Sequence, residues 1–562
     1  MDFLALKRNL RKDYSHFKPF KLGLLSDAAP QFLAQALRGM SYEFQIDLQI
    51  YQATIGTIAQ EINGYSGLYT AQCDGVLLYH SLQAIQTRFY KTELNKRSNF
   101  SSIFLEEFKI FIQKLGENKI RTVFVNLFSV EDDAVFGQFG LQTELSFRYQ
   151  IQKINLGLSE LACQNPAISL IQLPTNYFDP KFYYSSQADI SFEALPKVAK
   201  SFLQNLAARQ GKVKKCVVID LDNTIWGGIV GDDGWENLEL GLLGRGKVFT
   251  DIQLWLKELK NRGILLAVCS KNEVQTAKEV FEKYPEMVLQ LADIALFVAN
   301  WQAKSENIKT IAQTLNIGLD SLVFLDDNAA ERAQVKTVFP EMTVPDLPSD
   351  PSEWLLFLQN ENLFETAAIT AEDFDRTEKY RQETERKQES ISFSNQDDFL
   401  KSLEMKAKAL PIDAYTLPRV AQLLQRTNQF NLRSIRHSEA EIKAMIESER
   451  FIGFAISLQD KFGDEGIVSA VLLEQKEDAL FVETWVMSCR VFERGLEKWA
   501  LNLMLDEGLK SRKNIRAVYI PTTKNQYIKN LLPTLGFEEK DDFFELESSE
   551  KYFIEHFISS AH

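Results

Sequence analysis

The stretch Lys214–Gly228, KKCVVIDLDNTIWGG, decides the reading of this 562-residue chain. Cys216, Val217, Val218 and Ile219 form an apolar run without polar alternation. That is the pattern of a parallel strand buried on both faces. The run then meets two acids, Asp220 and Asp222. In an open parallel sheet the carboxyl ends of the strands form the ligand-binding edge. Residues two apart on a strand point the same way. Two carboxylates so placed raise each other's pKa unless a positive charge lies between them. Their hard oxygen donors suit Mg²⁺.

Matching parts follow downstream. ILLAVCS ends its strand in Ser270, with Lys271 and Asn272 behind it. NWQAKSENI places Lys304 just before a helical stretch, and LVFLDDNAAER ends a strand in Asp326 and Asp327. An acid pair, a hydroxyl, a lysine and a second acid pair thus fall in order, each at or just beyond a strand end. This order resembles the haloacid dehalogenase (HAD) superfamily of phosphotransferases. The resemblance implies that Asp220 attacks phosphorus and forms an aspartyl-phosphate. It implies that Asp222 protonates the leaving oxygen and later activates water. Ser270 and Lys304 would bind phosphoryl oxygens. Asp220, Asp222, Asp326 and Asp327 would hold or support Mg²⁺. Thr224, Lys271 and Asn272 are further candidates for substrate contact. Only NTIWGGIVGDDGWENLEL separates Asp222 from the helical pattern KVFTDIQLWLKELKNRG. This glycine-rich stretch, with DDG as a hairpin signal, predicts a small flap and no large cap. An open site of this kind suits a substrate delivered by another protein.

Composition bounds the rest. The chain is 45% hydrophobic and 25% charged, ordinary for a soluble globular protein. A net charge of −14 argues against a general nucleic-acid binder. No apolar run approaches the ~20 residues of a membrane span. MDFLALKRNLRKDYSHF offers no signal-peptide pattern, so a cytoplasmic protein without a membrane partner is expected. The five cysteines form no C-x-x-C pair, which points away from zinc and disulfide frameworks. Cys216 and Cys269 read as structural strand residues.

Strand-like runs KLGLLSD, FQIDLQIY, GVLLYHS, RTVFVNLF and ISLIQLP alternate with helical stretches before the HAD-like block. After it, TAEDFDRTEKYRQETERKQES reads as a solvated, charged helix. The wording of DLDNTIWGGIVGDDG, CSKNE, NWQAKSENI, FLDDNAAER and AEDFDRTEKYRQETERK narrows the resemblance to FkbH-like proteins of the HAD superfamily. That family implies a multidomain α/β chain. An SGNH-like α/β domain, read as non-catalytic, would span residues 1–205. A HAD-like domain with a Rossmann-like parallel sheet would span 206–365, and a charged helical linker 366–396. A GNAT-like α+β domain would span 397–562. The resemblance implies an enzyme that takes the D-glyceryl group of 1,3-bisphosphoglycerate, removes phosphate, and presents the group as a thioester on an acyl carrier protein. Residue types and spacing alone indicate a Mg²⁺-dependent phosphotransferase. A plain HAD phosphatase with appended binding domains is the alternative, as is a coenzyme A-dependent acyltransferase. A scaffold with decayed sites is disfavoured by the intact acid, hydroxyl and lysine set.

The outer blocks depart from their families' patterns. LLSDAA puts Ser26 and Asp27 after a strand, but the only histidines of that block are His16 and His80, and none lies near Asp179. Ser26 therefore reads as a turn or cap residue. In the last block, SCRVFERG joins a strand to a helix whose Leu496, Trp499, Ala500, Leu503 and Met504 share one face. The turn resembles a GNAT pyrophosphate loop, with Arg490 and Arg494 adding charge for coenzyme A or a carrier's phosphopantetheine arm. Leu496 and Glu497 follow Gly495 where that loop usually has another small residue. Cys489, beside two arginines, is a candidate acceptor of the glyceryl group; a small buried strand residue is the plainer alternative. Asn428, Gln429, Lys524 and Asn525 are further candidates to line that site.

Overall fold

The computed structural model describes residues 1–64, 66–390 and 393–561. The chain divides into two compact units, Met1–Ala208 and Arg209–His562. Both are α/β. No helix among the described residues is long and apolar enough to cross a membrane.

In the first unit all five apolar runs form strands. They are β1 (Lys18–Ser26), β2 (Ile46–Gln52), β3 (Gly75–Tyr79), β4 (Val123–Asn126) and β5 (Ile168–Ile171). They pair in parallel in the order β2-β1-β3-β4-β5. Alternate residues feed opposite layers: Leu24 and Leu77 pack on one face, Leu25 and Leu78 on the other. The Ser26 hydroxyl is engaged in its own turn, donating to the Ala28 carbonyl at 2.7 Å and accepting from its N–H at 3.0 Å. His80 does find an acid, which spacing did not reveal: its Nδ1 lies 3.1 Å from Asp27 Oδ2, because β1 and β3 are sheet neighbours.

The second unit holds two sheets. The first contains β6 (Cys216–Ile219), β7 (Leu265–Ser270), β8 (Ile294–Ala299) and β9 (Leu322–Leu325). All run parallel in the order β8-β7-β6-β9. Val217 and Ile219 enter one core layer, Cys216 and Val218 the other. Cover on both faces is why these runs carry no polar alternation. Cys216 and Cys269 are fully buried in these layers.

The other sheet contains β10 (Lys406–Pro411), β11 (Phe451–Asp460), β12 (Gly463–Gln475), β13 (Ala479–Met487) and β14 (Asn514–Ala517), with short edge strands β15 (Glu538–Glu539), β16 (Phe544–Leu546) and β17 (Ser559–Ser560). Its order is β15-β16-β14-β13-β12-β11-β10-β17. The helix Leu496–Ser511 covers it with Leu496, Trp499, Ala500 and Met504 buried.

The charged helix, Arg376–Ser390, differs from the solvated element expected. It packs against β7 and β8 of one sheet and β12 of the other. Thr377, Tyr380 and Arg386 are buried. Arg386 is ion-paired with Glu383 at 2.5 Å, Asp460 at 2.8 Å and Glu465 at 3.2 Å. A dense charge pattern hid a buried network because two of its acids lie far along the chain.

Candidate active site

The carboxyl edge of the four-stranded sheet gathers the acids. Asp220 follows β6, and Asp326 and Asp327 follow β9. Because β6 and β9 are paired, Ile219 opposite Leu325, the three carboxylates meet, one oxygen of each within 4.8 Å of the others. Lys304 opens the helix after β8 and reaches across. Its Nζ lies 2.8 Å from Asp220 Oδ2 and donates to Asp326 Oδ2 at 2.5 Å. Ser270 ends β7, buried beside them.

One cation faces three acids, and the site is buried. Burial, then the Asp326 charge, push Asp220 above the usual carboxylate range, while Lys304 pulls the other way. Burial raises Asp326 and Asp327 as well. Lys304 loses by burial but gains more from its two carboxylates, so its pKa is raised. Asp220 Oδ1 is buried without a hydrogen-bond partner. An orphaned carboxylate oxygen beside two more acids fits a hard divalent cation bound by Asp220, Asp326 and Asp327.

Asp222 is the exception to the expected ligand set. Its Oδ1 accepts from Trp226 Nε1 at 2.9 Å and from the Val230 N–H at 3.0 Å. Its Oδ2 accepts from Asn272 Nδ2 at 2.8 Å. These three donors engage both carboxylate oxygens, and Asp222 is not among the acids whose oxygens meet. The flap explains the arrangement. Trp226 is fully buried, and Gly227 pairs with Glu239 to close the loop. The DDG signal is not a hairpin: Val230–Asp233 make one helical turn, which Gly234 ends at φ +73°. That positive φ suits glycine.

The other expected residues separate into three groups. Asn272 also donates to Ser270 Oγ at 3.2 Å, so it bridges Asp222 and the hydroxyl. Thr224 Oγ1 accepts from the Asp327 N–H at 3.1 Å and ties the two acid loops together. Lys271 points outward and pairs with Glu331 at 2.6 Å. Arg332 was missed. Its Nη1 donates to the carbonyls of both Asp326 and Asp327 at 2.7 Å. Its place six residues beyond Asp326 on the following helix was the available signal.

Cys489 and Arg490 lie elsewhere. They line a cavity of about 300 Å³ with Lys215, Asp320, Arg376, Tyr380, Arg419 and Arg426. Lys215 precedes β6, and Gly318, Asp320 and Ser321, also in its lining, precede β9. The cavity is therefore at the amino edge of the sheet. Cys489 Sγ is 3.9 Å from the Tyr380 hydroxyl. Asn428, Gln429 and Lys524 also line it. Asn525 does not; it is buried and donates to the Asn431 and Ile520 carbonyls. Arg494 is absent from this lining too. It is buried among Glu383, Asp460 and Glu465, which compensate its charge inside the protein.

Comparison with known proteins agrees with the carboxyl-edge geometry. Residues 21–207 match the family profile described as FkbH, N-terminal domain. A solved structure, the N-terminal part of the protein BF1531 from Bacteroides fragilis containing a phosphatase domain complexed with Mg, is 40% identical. It covers 66% of this chain and all of its own length, with a TM-score of 0.63. Two structures match a quarter of the chain at 16% identity: the ribosomal-protein-S18-alanine N-acetyltransferase from Escherichia coli and a domain from Methanocaldococcus jannaschii, with TM-scores of 0.21 and 0.22. No curated protein matches the chain. With a relative of that identity matched over its full length, and acids, hydroxyl and lysine converging on one strand edge, the chain belongs to the FkbH family and is an enzyme of the HAD phosphatase type.

Proposed function

We propose that this enzyme cleaves phosphate from a small phosphorylated substrate at Asp220, and transfers the D-glyceryl group of 1,3-bisphosphoglycerate to the phosphopantetheine thiol of an acyl carrier protein. The cluster of Asp220, Asp326 and Asp327 around Lys304 carries the first half. Asp220 attacks phosphorus. Asp222, oriented by Trp226, Val230 and Asn272, gives its proton to the leaving oxygen and later takes one from water. Ser270 and Lys304 hold the phosphoryl oxygens. Asp220, Asp326 and Asp327 are the residues to hold Mg²⁺, the ion bound by the Bacteroides relative. When bound, that ion offsets charge on the phosphoryl group.

Metal binding needs Asp220 ionised, and burial has raised its pKa. Protons therefore compete with the ion at a higher pH than for an ordinary carboxyl. Mg²⁺ affinity is expected to be at least about tenfold weaker at about pH 5 than at about pH 7.5. Calorimetric titration at the two pH values checks this, and equal affinities would remove Asp220 from the ligand set.

Cys489 supports the transfer half. It is a free thiol, partly exposed, in a cavity lined by Arg490 and Arg419. Cys489 accepts the glyceryl group and passes it to the carrier thiol. The test is intact-mass spectrometry of a phosphopantetheinylated carrier incubated with enzyme, Mg²⁺ and 1,3-bisphosphoglycerate. A glyceryl increment that disappears with Cys489→Ala supports the relay. An increment that survives removes Cys489 from the path. Free phosphate with unmodified carriers would favour a plain phosphatase.

A further inference from the structure

The first unit holds a polar pair at the carboxyl edge of its own sheet. Asp27 follows β1 and His80 follows β3, and the two strands are paired neighbours. Both Asp27 oxygens are engaged. Oδ1 accepts from the Ser81 N–H at 2.6 Å, and Oδ2 lies 3.1 Å from His80 Nδ1. Asn126, the last residue of β4, fixes the histidine backbone. Its Oδ1 accepts from the His80 N–H at 2.8 Å, and its Nδ2 donates to the His80 carbonyl at 3.0 Å. A carboxylate on Nδ1 holds the ring proton there and leaves Nε2 as an acceptor. Nε2 has no hydrogen-bond partner among the described residues.

Asp27 and His80 line a cavity of about 180 Å³ whose other walls are mainly apolar. Ile58 comes from the helix Ile58–Asn63 and Ile85 from the helix Leu82–Lys91. Phe104, Phe108 and Phe111 come from the helix Phe100–Glu117, at a spacing that puts all three on one face. The His80 ring meets Phe104 edge to face, with centroids 5.4 Å apart. Arg88 and Glu107 also belong to the lining, and they pair with each other at 2.7 Å. Arg88 is thus matched by an acid, and Asp27 is held by two donors, so neither calls for a charged ligand. Beyond this rim the apolar wall goes on. Ile103 and Ile110, both exposed, line an open groove that shares Arg88, Glu107 and Phe111 with the cavity.

We propose that this cavity is a binding site for an uncharged alcohol with an apolar body, whose hydroxyl donates to His80 Nε2 and whose tail leaves along the Ile103–Ile110 groove. The constitution is that of a small-molecule site, an apolar hollow with a few placed polar groups. Size agrees. A cavity of about 150 Å³ lined by Leu, Ile and Phe takes a benzene ring, so about 180 Å³ takes one carrying a hydroxymethyl group. A water molecule satisfies Nε2 but gains nothing from the phenylalanine face. An alcohol satisfies the nitrogen and covers that face as well. The site lies within the first unit and uses neither Asp220 nor Cys489.

The test titrates the full-length protein, labelled with ring-¹³C histidine, with benzyl alcohol and with its isomer anisole, read by NMR. The chain has five histidines, and His80→Gln assigns the His80 ring signal by its loss. Benzyl alcohol is expected to move that signal saturably. Anisole, which accepts hydrogen bonds but donates none, leaves Nε2 unsatisfied and is expected to bind about fivefold more weakly. Equal or tighter binding of anisole overturns His80 as the group that reads the hydroxyl. Tighter binding of benzoate overturns the uncharged class, and no saturable movement with any of the three overturns the site. Ala84 also lines the cavity. Ala84→Phe is expected to weaken benzyl alcohol at least about tenfold while the His80 signal persists. Wild-type affinity in that variant places the alcohol elsewhere and overturns the proposal.

Discussion

Asp220→Asn is expected to lower Mg²⁺-dependent phosphate release by roughly 10⁴-fold or more. The amide has the same shape, but its oxygen is too weak a nucleophile to form the proposed aspartyl-phosphate. Loss of kcat should dominate, because Ser270, Lys304 and Asn272 still line the site. The fold should survive for an electrostatic reason. Three clustered carboxylates, two of them buried, compete for one ammonium, and Lys304 keeps its contact with Asp326 when one is neutralised. Metal-free, the variant should melt no lower than wild type, since burial had raised the Asp220 pKa. An acid whose folded pKa is raised destabilises the fold above that pKa, and the penalty fades as pH falls from there towards the unfolded-state value, below which it is gone. Neutralising it removes that penalty at neutral pH. Phosphate release within tenfold of wild type would place the nucleophile on another residue. A large drop in melting temperature would mean that the Asp220 charge holds the site together.

The acid cluster was legible because each part is announced locally. An apolar run that stops in an acid names both a buried strand and its functional edge, as at Ile219–Asp220 and Leu325–Asp326. The parallel pairing of β6 with β9 then does the assembly, with no further information needed from spacing. The Asp222 orientation was not legible. It depends on a backbone N–H at Val230 and on Trp226 turning inward, both set by how the flap folds. The helix Arg376–Ser390 was misread because a buried ion pair and a solvated charge look alike in sequence. Asp460 and Glu465, which balance Arg386, come from the β11–β12 region of another sheet. Arg494 illustrates the same limit. Its position after Cys489 suggested an anion ligand, while its three acids lie on the charged helix and on β11 and β12. The Asp27–His80 contact likewise needed the order of strands, since two residues distant in the chain meet only when β1 and β3 become neighbours.

Lys304→Met should be the most damaging single change to stability in the site. Methionine keeps an unbranched apolar stem of similar length, so packing changes little. The ammonium is what disappears. It is 4% exposed and lies between Asp220 and Asp326, which are themselves buried. Breaking a buried ion pair by removing one partner costs about 3–5 kcal/mol, because the other charges are left uncompensated. Two routes relieve the penalty, and both are measurable. Protonation is the first. Without the lysine the pKa values of Asp220 and Asp326 rise further, so the variant carries its penalty above those values and regains stability as pH falls through them. Metal is the second. A divalent cation bound to the folded state alone raises its stability by mass action, and it supplies the positive charge that Lys304 no longer does. Denaturant unfolding at about pH 7.5 should therefore show a large loss, with partial recovery at about pH 5 and on addition of Mg²⁺. A loss of equal size under all three conditions would assign the damage to packing. Recovery with Mg²⁺ and not with Na⁺ at matched ionic strength would separate binding from screening. Activity should stay low even where stability returns, because the proposed mechanism also needs Lys304 to hold the phosphoryl oxygens.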